Sequence, residues 1–160
     1  MYRPTRPEDS PALVAMAEAT GVFKPLEIAT LREVLADYPT ESRVHGDRSF
    51  ILAEGPEAIG FVYHAPEPMT EGAWALWWIV VRADLRGRGV GSTLLKFVES
   101  DAHEHGARVL YVETSSLPHY DPTRRFYLKH GYEEEARLRD FYATGDDQII
   151  FRKLLTGKSG

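Results

Sequence analysis

The chain has 160 residues, a length that suits one domain over residues 1–160 burying about 68–70% of its unfolded surface. It is 43% hydrophobic and 27% charged with a net charge of −5, ordinary for a soluble protein and the wrong sign for one that coats nucleic acid. Cysteine is absent, which excludes disulfides, thiolate nucleophiles and thiolate-held metals and suits the cytoplasm.

The start, MYRPTRPEDSPALV, lacks the apolar core of a signal peptide, and no run approaches the roughly 18 apolar residues of a membrane span. A short first strand is expected at Met1–Arg3. Ser10 and Pro11 open a first helix that Gly21 stops. A second follows in PLEIATLREVLADY, where Ile28, Leu31, Leu35 and Tyr38 form one stripe. The polar stretch from Pro39 to Arg48 reads as a loop. SFILAE and AIGFVYH, joined by GPE, read as a β-hairpin. The prolines of APEPMTEGA break the pattern, and WALWWIVV is a nearly all-apolar strand expected to be covered on both faces.

From Val90 the apolar spacing turns helical, with Val90, Leu94, Val98 and Ala102 four apart, and Gly106 ends the run. RVLYVET is a further strand and SSLPHY a loop. DPTRRFYLKHG is a short helix with Asp121 as its N-cap and Gly131 as its stop. EEEARLRDFY and DQIIFRKLL close the chain as two strands, whose exposed positions can pair two copies into a homodimer. The class is α/β of the α+β kind, with a strand, glycine loop, helix and strand at its middle.

The loop LRGRGVGSTLLKF joins a strand end to a helix start, where backbone N–H groups and the positive helix end meet an anion. Gly87, Gly89 and Gly91 remove three Cβ atoms, and Arg86 and Arg88 add charged donors. The bare pattern also suits a glycine turn with two solvated arginines. A Walker loop needs Gly-Lys-Ser/Thr and a Rossmann turn needs G-x-G-x-x-G; neither is present.

RGRGVG resembles the Arg/Gln-x-x-Gly-x-Gly/Ala signature of the GNAT superfamily of N-acetyltransferases, with Arg86, Gly89 and Gly91 in register. RRFYLKHGY is similar to that family's later FYxxxGF segment through Phe126, Tyr127, Gly131 and Tyr132. The resemblance implies a mixed, mostly antiparallel central sheet flanked by helices. It also implies acetyl-CoA as co-substrate, with its pyrophosphate on the loop at Arg86, Gly87, Arg88, Gly89, Val90, Gly91 and Ser92. The same resemblance places the pantetheine arm against the main chain of Ile79, Val80 and Val81, splayed from the next strand. Tyr120 and Thr123 stand where family members commonly carry Asn and Ala, which leaves one coenzyme contact open.

Acetyl transfer to an amine needs a base for the amine, a donor for the carbonyl oxygen and an acid for the leaving thiolate. Without cysteine or a Gly-x-Ser-x-Gly elbow, direct attack in a ternary complex is expected. Glu113, near the end of an apolar strand, is the candidate base, directly or through water. A strand-end glutamate that faces solvent or pairs with an arginine is the plainer reading. Tyr127 is the candidate acid, on a helix face shared with Thr123 and Phe126, which are expected against the coenzyme.

Trp74, Trp77 and Trp78 read as core more readily than as a pocket floor. His64, His103, His105, His119 and His130 lack metal-ligand spacing, so no metal is expected; His119 can line an acceptor site. Asp146 and Asp147 can meet a cationic amine. The acceptor is a small amine, an amino acid or a peptide N-terminus, with the helix pair near Phe23–Tyr38, the Pro66–Gly72 loop and the last hairpin setting the choice. The alternative is a non-catalytic acetyl-CoA-binding regulatory module.

Overall fold

The computed structural model describes residues 1–156. In chain order it comprises β1 (Tyr2–Pro4), α1 (Ser10–Ala19), α2 (Pro25–Asp37), β2 (Arg48–Glu54), β3 (Glu57–Pro66) and β4 (Ala73–Val81). Next come α3 (Val90–Glu104), β5 (Val109–Ser115), α4 (Asp121–Lys129), β6 (Glu133–Ala143) and β7 (Asp146–Leu154). The strands form a seven-stranded sheet in the order β1-β2-β3-β4-β5-β7-β6. β4 and β5 run parallel, whereas β1/β2, β2/β3, β5/β7 and β6/β7 are antiparallel. The fold is therefore mixed α/β with a mostly antiparallel sheet, as expected.

The described residues group into two compact units, Met1–Ala65 with Trp78–Val98, and Pro66–Trp77 with the chain from Glu99 onward. In the first, α1 and α2 bury Leu13, Val14, Ala17, Ile28, Leu31 and Leu35 with Ile51, Phe61, Tyr63, Trp78 and Val80. Removing these apolar stripes from water is what holds two short helices in place. A Cβ at Gly60 would lie 2.8 Å from Leu94 Cδ1 and 3.0 Å from the Val80 carbonyl oxygen, so β3, β4 and α3 close on that glycine. Gly60→Ala is expected to cost about 1–3 kcal/mol through overpacking, read as a lower melting temperature by circular dichroism. An unchanged melt would contradict this packing.

Two stretches wind differently from what their sequence suggests. The stretch after α2 is not a plain loop: helical winding continues through a π-turn at Tyr38–Ser42, in which Arg43 N–H donates to the Tyr38 carbonyl. Pro39 has no N–H to offer, and the wider π-turn accommodates that loss. Likewise Asp121 is not the N-cap of α4. A 3-10 turn at Pro118–Tyr120 runs straight into the helix, so Tyr120 takes that place and Asp121 already has helical φ −55° and ψ −43°. Its carboxylate pairs with Arg125 at 2.9 Å instead.

In the second unit β4 meets β5 from Ala73↔Val109 to Leu76↔Val112, and β5 meets β7 along its whole length. Glu99 of α3 gathers the Tyr132 hydroxyl at 2.8 Å and Lys153 Nζ at 3.1 Å. β6 lies at the sheet edge with every residue but Ala136 exposed, among them Leu138, Phe141 and Tyr142.

Candidate functional site

The glycine loop leaves β4 through Arg82, whose guanidinium bonds Glu57 at 2.9 Å and Asp84 at 2.7 Å. That bracket fixes where the loop starts; the Arg-Ala-Asp spacing was its only trace in the sequence. Gly87 and Gly89 have φ of +75° and +80°, a region that disfavours L side chains. Nothing lies within 4 Å of where a Cβ would stand at either residue, so the main chain there is open to an approaching group. The first backbone bond of α3 is Thr93 N–H donating to the Gly89 carbonyl at 3.1 Å. The preceding amides, at Val90 and Gly91, lie in the first helical turn, where N–H groups have no intrahelical partner. Positive-φ glycines, first-turn amides and the exposed Arg88 are together a donor set that fits a pyrophosphate.

Arg86 also reaches back to α1. Its Nη2 donates at 2.8 Å to the Thr20 carbonyl at the end of α1, where the negative end of the helix dipole favours a cation. It therefore fastens the loop to the α1–α2 turn. Phe23 of that turn meets Trp78 of β4 with ring centroids 5.2 Å apart. Ile79 and Val81 are half-buried and Val80 is buried. Ser92 is half-buried at the helix start.

The second unit holds both candidate catalytic side chains. Glu113 stands on β5 opposite Ile150 and is the exposed position of an otherwise largely buried strand. Although the residue is open to solvent, the protein around its carboxyl displaces enough water to raise its pKa, and the negative charge of Glu67 adds to the rise. Tyr127 on α4 is 2% exposed. It packs against Phe126, Tyr132 and Phe151 with centroids 5.3, 5.5 and 5.9 Å away. Burial pushes its phenol far above the ordinary tyrosine range, so it stays protonated at neutral pH. Its hydroxyl has no hydrogen-bond partner among the described residues. Thr123 and Phe126 are half-buried on the same helix.

Arg124 is a positioning residue the sequence did not single out. Its Nη1 donates to the carbonyls of Ser115 at 2.6 Å and Leu117 at 3.1 Å, tying α4 to the end of the strand that carries Glu113. Tyr120 is buried beside the His119 ring, 4.6 Å between centroids. Asp146 and Asp147 are engaged within the protein. Asp146 is 3% exposed and accepts the Ser115 hydroxyl, while Asp147 accepts the Asp140 amide and Arg137. Those bonds hold the Asp147 carboxyl below its usual range, the Asp140 amide foremost. Trp74 and Trp78 are buried as expected, but Trp77 is 48% exposed. No group of three His, Asp or Glu side chains suited to a metal occurs among the described residues. No helix among them is long and apolar enough to cross a membrane.

Residues 14–132 match the model of the acetyltransferase (GNAT) family. The chain belongs to that family. A curated relative, an uncharacterized N-acetyltransferase of Methanocaldococcus jannaschii, is 32% identical over 78 residues, 47% of each chain; the chain spans about half the length of that relative. A crystal structure of a GNAT-family protein from Desulfovibrio desulfuricans superposes with a TM-score of 0.92 at 34% identity, covering 98% of this chain and 99% of that one. An aminoglycoside 6'-N-acetyltransferase complexed with coenzyme A gives a TM-score of 0.79 at 16% identity, covering 100% and 99%. A ribosomal-protein-alanine N-acetyltransferase of Brucella melitensis gives 0.77 at 22%, covering 97% and 99%. The last two share the fold.

Proposed function

We propose that this GNAT member transfers the acetyl group of acetyl-CoA to a primary amine by direct attack in a ternary complex. The observation that carries the reading is the glycine loop: two positive-φ glycines with open space outside them, feeding the first-turn amides of α3. In this reading those amides and Arg88 hold the pyrophosphate, and the main chain of Ile79, Val80 and Val81 holds the pantetheine arm and supplies the carbonyl-oxygen donor. Thr123 and Phe126 line the coenzyme's path along α4. Acetyl-CoA supplies a thioester whose carbonyl carbon accepts the amine nitrogen. Glu113 takes the ammonium proton, directly or through one water, and Tyr127 protonates the departing thiolate. The edge strand β6, with Leu138, Phe141 and Tyr142 exposed, is the surface through which two copies would pair.

Because the chain lacks cysteine, a thiol-reactive disulfide reports only coenzyme A set free. Amine-dependent thiol release is the expected result. Calorimetric binding of coenzyme A with no release across a panel of amines would overturn the enzymatic reading in favour of a binding module.

The Glu113 assignment has its own signature. The base works when deprotonated, so kcat/KM should fall as pH drops through its pKa, which lies above the usual glutamate range. Glu113→Gln is expected to lose that acid limb and to lower kcat about 100-fold or more, with coenzyme affinity unchanged. A variant that keeps the native profile removes Glu113 from the role.

A further inference from the structure

The C-terminal end of α4 is closed by its own backbone. Gly131 has φ +87°, Tyr132 N–H donates to the Tyr127 carbonyl at 3.1 Å, and Gly131 N–H donates to the Leu128 carbonyl at 3.2 Å. These are the six-to-one and five-to-two bonds of a Schellman motif. Tyr127 is thus the residue whose carbonyl the closure grips, and its place depends on where Tyr132 is held. The helix has 9 residues, too few to stay wound without outside contacts.

Those contacts come from one polar cluster within the second unit. The Tyr132 hydroxyl donates to Glu99 Oε2 at 2.8 Å, and Lys153 Nζ donates to both Glu99 carboxylate oxygens at 3.1 Å. Lys153 also donates to the His130 carbonyl at 2.9 Å, where the negative end of α4 favours a cation. Phe151 and Lys153 share one face of β7. That strand therefore meets α4 twice, through the Phe151 ring against Tyr127 and the ammonium against His130. The Tyr132 ring lies edge-on to Tyr127, 5.5 Å between centroids. The Glu99 and Lys153 side chains are 17% and 30% exposed, and an apolar set of similar volume is often as stable in such a place. Stability therefore does not account for a carboxylate, an ammonium and a phenol here. A fixed geometry does.

We infer that Glu99 is a positioning residue for Tyr127: by holding Tyr132 and Lys153 it sets where the Tyr127 phenol stands. This role rests on the acetyl-transfer reading, in which that phenol protonates the departing sulfur. As the C–S bond breaks, the proton moves from the Tyr127 oxygen to sulfur and is replaced from solvent. The Glu99 cluster neither gains nor loses one. Burial, and then the Glu99 charge, hold the Tyr132 phenol far above the ordinary tyrosine range, so the cluster keeps its form at neutral pH. Its contribution is placement, and a displacement of about 1 Å can cost about 100-fold in rate.

The test is a double-mutant cycle read by single-turnover thiol release. Tyr132→Phe keeps the ring and deletes its bond to Glu99, whereas Glu99→Gln keeps an acceptor and removes the charge opposite Lys153. Each is expected to lower the rate about tenfold or more, while the Kd for coenzyme A stays native. In a Tyr127→Phe background neither should lower the rate further, because no phenol is left to place. Native speed in both single variants, or the same loss in both backgrounds, would overturn the inference. Fluorine NMR of the full chain with meta-fluorotyrosine in place of Tyr127 gives a second readout that needs no turnover. One sharp line is expected in the native chain, shifted or broadened by either variant; a line that neither variant moves refutes the role. A native chain that shows this response but releases no thiol with any amine would instead overturn the acetyl-transfer reading and leave the hold of Glu99 on Tyr127 standing.

Discussion

Tyr127→Phe is expected to lower kcat by about 100–1000-fold, the range for loss of a positioned proton donor, with little change in coenzyme affinity or melting temperature. The separation of effects follows from the surroundings of the side chain. The ring is packed by Phe126, Tyr132 and Phe151, and phenylalanine keeps those contacts. The hydroxyl has no protein partner among the described residues, so its removal leaves no protein group unpaired. A structural tyrosine in such a place would tolerate the change with full activity, and a full-speed variant would refute the assignment. The test is single-turnover thiol release compared with thermal unfolding of the same preparations.

The second large effect concerns the loop. At φ +80°, Gly89→Val is expected to raise the Kd for coenzyme A about 100-fold, because a branched side chain both strains the backbone and occupies the face open to the diphosphate. Strain alone costs about 1–2 kcal/mol at a left-handed position, so the control needs the same strain elsewhere. Gly55, in the β2–β3 turn, has φ +61° and likewise nothing within 4 Å of a Cβ. Gly55→Val should therefore lower stability by a similar amount and leave coenzyme binding intact. Equal, native-like binding by both variants would remove the loop from the coenzyme site.

The sequence alone determined most of the element order, because hydrophobic period is a local property. The stripe Ile28, Leu31, Leu35 and Tyr38 is buried as its spacing required. The glycine loop was legible for a related reason: positive φ at Gly87 and Gly89 is a backbone demand that few residue types meet. Asp121 and the Pro39–Arg48 stretch depart from the expectation because the element before each, a 3-10 turn and α2, carries its winding onward whatever the residue's own preference. Trp77 and Trp78 are adjacent and identical in type, yet one is exposed and the other buried, a difference that depends on what covers each face.

Only the tertiary structure decided where the long charged side chains went. Arg86 reaches 66 residues back to Thr20, and Arg124 grips carbonyls at the end of β5. Glu18, Phe23 and Arg32 come together around one open hollow because α1 and α2 bury their apolar faces side by side. Local patterning fixes which segments wind into helices or extend into strands. The partner of a flexible cation depends on which chain segments hydrophobic burial has already brought within its reach, and no short window of sequence contains that information.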